Sequence, residues 1–461
     1  MSIAGYSGLP GLNRLSGNPV DGIFERSVMS INFIKSDLNS LYSVLNYYFQ
    51  QKGRNMINWK RNLFFVWLSQ ILALAGFGSV IPFIPLYMRN VLGVMDDGER
   101  GLWVSAFYFG GQLSFCISMP IWGALADRFG RRIMLLRANL VSAMLVPLMA
   151  YVPSVGWLVA IRFVISVFSG TVNAAQTLVG STTPEEHQGF ALGALSSALW
   201  SGHMIGYMAG GLIVDRFGYT PAFFSGGSML LAAGLIVLFF VKDDFVPRPV
   251  SLSRAKKPKE PFSLRKLFPD FGRVIWTILF LFIFLGFVRK FDDPFIAIQV
   301  ELIHGPDRAA FWTGIICAGA AISGVFSGIV LGWLCDRFSP EKIAIPAALL
   351  SGLLMIPQGL AANLWVFGGA RFLNYFFAGG LDPVFLTLMS RVTPQEKRGS
   401  VFGWGASAKV GGSLFSSLCG GFIIYNFGVR WIFYIGGILM LCLIPLIGTL
   451  PREVLNSGKD K

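Results

Sequence analysis

Long apolar runs separated by short polar knots fill the chain from residue 62 onward. Crossing ~30 Å of hydrocarbon takes roughly 20 mostly apolar residues in a helix. The pattern supplies such stretches at 62–89, 102–126, 133–152, 157–180, 189–213, 221–241, 274–301, 308–334, 342–361, 365–389, 399–424 and 430–450. The apolar positions run on continuously instead of alternating every second residue, so helices are predicted and a lumen-lined barrel is not. The expected class is therefore an all-α membrane protein with twelve transmembrane helices.

Three polar segments frame these spans. Residues 1–55 read as a tail, with Ile31, Ile34, Leu38, Leu41, Leu45 and Tyr48 at helical spacing, as in a helix lying on a membrane surface or in a poorly ordered stretch. The tail has no compact apolar core followed by a small-residue cleavage site, so it is not read as a secretory signal. Met56, just ahead of the first span, is a second candidate start. Residues 242–273 carry Lys256, Lys257, Lys259, Arg265 and Lys266 among prolines and serines and read as a basic linker, and 452–461 as a second tail.

Composition agrees with a lipid solvent. Hydrophobic residues make up 54% of the 461 and charged residues 13%, about half the share in a soluble domain. The net charge of +14 raises the question of nucleic acid, but the positions of the charges answer it. Lys and Arg concentrate on the face shared by the linker and both termini, which the positive-inside rule puts in the cytoplasm. Glu185 and Glu186 depart from that bias, although acidic residues count little toward orientation. The expected location is a plasma membrane of the bacterial inner type. The expected partners are the bilayer and a small-molecule substrate, without nucleic acid, for a chain working as a monomer. The five cysteines, Cys116, Cys317, Cys335, Cys419 and Cys442, show no paired spacing, so neither a disulfide framework nor a zinc site is expected. The sequence lacks a G-x-x-x-x-G-K-[ST] loop, an H-E-x-x-H pair and a nucleophile elbow. No enzyme chemistry and no cofactor are expected, and the energy source would be an ion gradient.

Self-comparison shows a repeat. Gly123, Asp127, Arg128 and Phe129 match Gly332, Asp336, Arg337 and Phe338 at an offset of 209, and Arg162 and Phe163 match Arg371 and Phe372 at the same offset. Thr183, Pro184 and Gly189 match Thr393, Pro394 and Gly399 at 210, where Gly202, Gly206, Gly210 and Gly211 also fall opposite Gly412, Ser416, Gly420 and Gly421. Two parallel six-helix halves, 56–241 and 274–451, are expected.

On these residues the chain resembles the major facilitator superfamily across about 56–455. The loop Gly123–Arg132 (GALADRFGRR) is similar to that family's signature loop, and the resemblance implies that it governs the conformational switch. Gly123 permits close helix approach, Asp127 can accept at a neighbouring helix N-terminus, and Arg128, Arg131 and Arg132, after the turn at Gly130, can pair across a seam. The resemblance implies the family's two-bundle fold. The Gly202, Gly206, Gly210 and Gly211 stripe, with Gly412 and Gly420, suits helix packing. It also resembles the fifth-helix motif of drug:proton antiporters, except that Tyr207 stands where that motif has proline. Pro82 and Pro85 predict a break in the first span.

An ionisable group inside a span costs a few kcal/mol and is a functional candidate. These are Arg162, His203, Arg289, Lys290, Asp292, Asp293, Arg371, Asp382 and Lys409. The deep carboxylates all lie in the second half, so proton coupling is expected there. Arg289 stands i+3 and i+4 from Asp292 and Asp293, and Lys290 i+3 from Asp293, so pairing within one helix is available. Arg289 sits ~22 Å along its span, at mid-membrane or beyond. Arg162 and Arg371 lie near their span ends, where snorkelling competes with a role in a cavity; the resemblance places Arg162 near the proton path. Asp292 and Asp293 are expected to exchange partners among Arg289, Lys290 and Arg371, with Asp382 and Lys409 lining the inner cavity. The resemblance implies proton-coupled efflux of drug-like amphipathic compounds. Uptake or exchange of a polar, anionic or zwitterionic metabolite, and a non-transporting sensor, are the alternatives.

Overall fold

The computed structural model describes residues 58–243, 271–393 and 398–449, without side chains at Gly332, Asp336, Glu341, Arg391 and 398–400. The expectations for the 1–55 tail, most of the 242–273 linker and the 452–461 tail lie outside the described residues.

Among the described residues sixteen α-helices and no strand occur. In chain order they are α1 Trp59–Gly78, α2 Ile84–Asn90, α3 Asp97–Phe129, α4 Arg131–Leu148, α5 Val155–Phe168, α6 Thr171–Thr182, α7 Gln188–Phe217 and α8 Tyr219–Phe240. The second set is α9 Arg273–Arg289, α10 Ile296–His304, α11 Ala309–Arg337, α12 Pro340–Leu360, α13 Leu364–Gly379, α14 Leu381–Val392, α15 Arg398–Phe427 and α16 Arg430–Gly448.

Sixteen helices make twelve crossings because the first, fourth, seventh and tenth are each broken in two. Pro82 and Pro85 remove backbone donors after α1, and a 3-10 turn at Ile81–Phe83 leads into α2. Pro294, 209 residues after Pro85, does the same between α9 and α10. Gly170, at φ 113, turns α5 into α6 in a conformation that side chains resist, and Gly380 separates α13 from α14. Carbonyls freed at the α5–α6 break find donors: Trp122 Nε1 gives to Val167 O at 2.6 Å and Arg137 Nη2 to Ser169 O at 3.2 Å.

Eleven of the twelve crossings are long and apolar enough to span a membrane by composition alone. The remaining one is α7, 30 residues or ~45 Å in length, diluted by glycine, serine and His203. Its glycine-bearing face packs closely against neighbouring helices. At Gly202 and Gly206 an added Cβ would stand 2.8 and 2.5 Å from the carbonyl oxygens of Ile71 and Ala75, and Gly210 meets Ser79 as closely. Glycine lets the α7 and α1 backbones touch. Gly412 lies in the same way against Ile283 of α9, Gly420 against Phe295 and Gly211 against Ala310 and Gly314 of α11.

Packing repeats with the sequence. The pairs α1–α7, α4–α8 and α3–α5 recur as α9–α15, α12–α16 and α11–α13, while α7–α11 and α3–α15 join the two sets.

Candidate substrate cavity and its charged lining

A cavity of about 620 Å³ lies between the two sets, walled by the broken spans together with α3, α7 and α11. Phe77, Tyr108, Phe115, Trp200 and Tyr207 supply aromatic surface, and Arg162, His203, Arg289, Lys290, Asp293, Arg371 and Tyr375 reach it with polar groups. Breaks in four spans put this polar chemistry at mid-membrane, since irregular backbone is tolerated there only where protein or a cavity surrounds it.

The charges form two networks. Arg371, 2% exposed, pairs with Asp292 through Nη1 and with Asp293 through Nη2 at 2.6 Å. Tyr375 donates its hydroxyl to the Asp293 carboxylate, and Lys290 reaches Asp293 at 2.8 Å. In the second network Arg289 and Lys409 share Asp382, the lysine at 2.6 Å. Arg289 thus pairs across helices and not with Asp292 or Asp293. The reason is local: α9 ends at Arg289, Lys290 leaves helical geometry, and the i+3 and i+4 positions are no longer on one face. The Lys290–Asp293 pair survives that turn. Burial of Arg371 within its network, and Arg162 in the cavity wall, place both away from the lipid interface.

Arg162 differs from Arg289 and Arg371, the other arginines of the cavity lining, in having no counter-ion. Among the described residues no carboxylate pairs with it, its buried Nε lacks a hydrogen-bond partner, and its guanidinium lies 5.3 Å from the Phe107 ring centre. Gly111 makes room for it, since a Cβ there would stand 2.8 Å from that Nε. His203 donates Nδ1–H to Leu199 O at 2.8 Å and leans against Tyr207.

The ends of the bundle differ. At the end remote from the linker the halves are sealed. Arg100 of α3, 1% exposed, pairs with Glu301 of α10, 2% exposed, and Arg89 meets the same carboxylate at 3.2 Å. Arg308, the non-glycine residue at positive φ among those described, reaches Asp215 of α7 at 3.9 Å. Gly101 sits against Ile424 and Gly421 against Ser105. At Gly123 an added Cβ would meet nothing within 4 Å, so the close helix approach expected there is not made in this conformation. Among the described residues every ion pair between the halves lies at the remote end, and none joins them at the linker end.

The signature loop lies at the linker end. Its helix-capping acceptor is Asp243, which takes hydrogen bonds from the backbone N–H groups of Arg131 at 2.8 Å and Arg132 at 3.0 Å. The Arg132 guanidinium donates to the Val237 and Leu238 carbonyls, so it binds α8 within its own half. Gly130 makes the turn at φ 94, Arg128 lies over Phe129 and Arg337 over Trp333. Among the described residues no ion pair joins Asp127 or its arginines across the seam in this conformation. The side-chain surroundings of Gly332 and Asp336 lie outside the described residues.

Sequence reasoning missed Glu301, Arg100, Arg89, Asp243 and Tyr375. Glu301 stands at a span boundary, where a lone carboxylate reads as interfacial. The one available signal was that the first and seventh spans carry charge at equivalent ends.

The family model for the Major Facilitator Superfamily matches residues 66–357 and 294–460. The chain is 32% identical over 385 residues to multidrug resistance protein MdtG of Proteus mirabilis (strain HI4320), covering 83% of this chain and 94% of that protein. It is 34% identical over 378 residues to multidrug resistance protein MdtG of Citrobacter koseri, covering 82% and 91%. Among solved structures, a point mutant of the nucleoside transporter NupG superposes with TM-score 0.67 at 11% identity over 84% of this chain and 100% of that one. A D-xylose–proton symporter gives 0.67 at 15% identity over 85% and 98%. Identities this low speak to the fold alone.

Proposed function

We propose, from the premise that this chain belongs to the major facilitator superfamily and is a secondary transporter of the membrane, that it exports small amphipathic, drug-like compounds in exchange for protons. The carrying observation is the 620 Å³ cavity between the halves, sealed at the remote end by buried inter-half ion pairs, with none joining the halves at the linker end among the described residues. The likeness to multidrug resistance proteins over most of their length supports the cargo class. In this reading the linker end is cytoplasmic, as the Lys and Arg distribution favours. The halves 56–241 and 274–451 rock about the α7–α11 and α3–α15 seams, and the chain works as a monomer without a cofactor.

Transport by alternating access needs a seal that forms on one side as the other opens. Here Glu301 holds two arginines of the opposite half in the inward-facing state. The signature loop, which rests on its own half now, makes the reciprocal seal when the cytoplasmic side closes. Protons enter through Asp292 and Asp293. Adding a proton to either removes a counter-charge from Arg371 and leaves that arginine to find another partner, which links protonation to rearrangement at the break of the seventh span. Asp382 meanwhile holds Arg289 and Lys409 together as their shared counter-ion.

The test uses the full chain in liposomes with an imposed pH gradient and a fluorescent amphipathic cargo. Cargo should move against the proton flow. In Asp292→Asn with Asp293→Asn, gradient-driven movement should vanish while insertion and cargo binding persist. Undiminished gradient-driven flux in that double variant would overturn the coupling assignment.

A further inference from the structure

Among the described residues every carboxylate in and around the cavity is already committed. Asp292 and Asp293 are held by Arg371, Asp293 also by Lys290, and Asp382 by Arg289 and Lys409. Three carboxylates therefore stand against Arg162, Arg289, Lys290, Arg371 and Lys409: one of the two surplus positive charges is shared within the Asp382 network, and the other is Arg162, which has no carboxylate among the described residues. A cationic cargo entering this space would find no free counter-charge and would meet a surplus of like charge. An anionic cargo would find an arginine whose charge no carboxylate yet matches.

We infer that the cavity takes amphipathic organic anions, with a carboxylate, sulfonate or phosphonate group seated on Arg162 and an aromatic or apolar body against Phe77, Tyr108, Phe115 and Trp200. This rests on reading the cavity as the export path. The arrangement is specific in two ways. Gly111 clears the space in which the guanidinium lies, and α5 delivers Arg162 from the opposite half to the neutralised network around Arg371. Lys290, 58% exposed and sharing its one carboxylate with Arg371, is the second cation within the cavity wall able to face such a group. An uncharged isostere would keep the apolar contacts and lose the ion pair, so the discrimination between acid and ester measures the Arg162 contribution directly.

The test measures binding of three aryl-alkyl carboxylates of graded size, 1-naphthylacetate among them, each beside its methyl ester, to the purified full chain. At least one acid should bind wild type tenfold or more tightly than its ester, about 1.4 kcal/mol. Arg162→Gln should cut that acid's affinity at least tenfold and leave the ester unchanged, and Arg162→Lys should keep part of the preference. Retained ester binding shows that the variant is folded; should R162Q bind neither compound, R162K decides, by keeping or losing the preference. Equal loss of acid and ester, or no acid preferred over its ester in wild type, overturns the inference. Flux measured in parallel separates the two claims. Selective acid binding without gradient-driven export sinks the export reading and leaves the anion site. Export of neutral or cationic compounds with no acid preference does the reverse.

Discussion

Replacing Glu301 by glutamine should turn the transporter outward. Glu301 and Arg100 are 2% and 1% exposed, on opposite halves, and Arg89 shares the carboxylate at 3.2 Å. Losing one partner of a buried ion pair costs about 3–5 kcal/mol, because the other charge stays buried and unmatched. Arg100 keeps Asp97, on its own helix, so the low end applies. That cost falls on the inward-facing state alone, since the outward-facing state separates the two halves and hydrates Arg100. About 3 kcal/mol corresponds to roughly a hundredfold shift toward outward-facing molecules. Cys317 lines the cavity and reports the shift. In a background with Cys116, Cys335, Cys419 and Cys442 replaced by alanine, a membrane-impermeant maleimide added outside intact cells should label Cys317 slowly in the otherwise wild-type chain. With Glu301→Gln the labelling should be many times faster, and cargo should slow it. Labelling from outside that is equally slow in both would refute the argument that this carboxylate holds the seal.

Three further outcomes follow from the packing and the ion pairs. Gly206→Val should lower the melting temperature by a few degrees or block folding, since the added carbon meets the Ala75 carbonyl at 2.5 Å and overpacking costs about 1–3 kcal/mol; an unchanged melting curve would count against close α1–α7 contact. Asp243→Ala should cost about 1 kcal/mol by uncapping α4, seen as faster amide exchange in its first turn, with no change if Asp243 is an idle neighbour. Asp382→Asn should strand Arg289 and Lys409 together and reduce transport, and Asp382→Asn with Lys409→Gln should recover part of it; no recovery would separate those two residues functionally.

Sequence and structure divide the explanation along a physical line. Residue by residue, hydrophobicity reports the local solvent, so the spans, their polar ends and the all-helical class follow from a window of about twenty residues. The repeat at 209–210 residues came from identity at fixed spacing and needed no coordinates. Proline and glycine act on their own backbone, so the break after Pro82 was legible before the fold was known. Charge partners are another matter. Whether Arg289 meets Asp292, three residues on, or Asp382, 93 residues on, depends on the helix ending at that arginine and on which helices surround it. Nor did a pattern in the sequence mark Asp243 as the cap of α4 or Glu301 as a shared counter-ion, because each is defined by a neighbour brought in from far along the chain. Local chemistry set where the helices are and which side chains carry charge. The tertiary structure decided which charges cancel, which end is sealed, and that Arg162 is left unmatched, because electrostatic pairing depends on distance in space and the sequence records only distance along the chain.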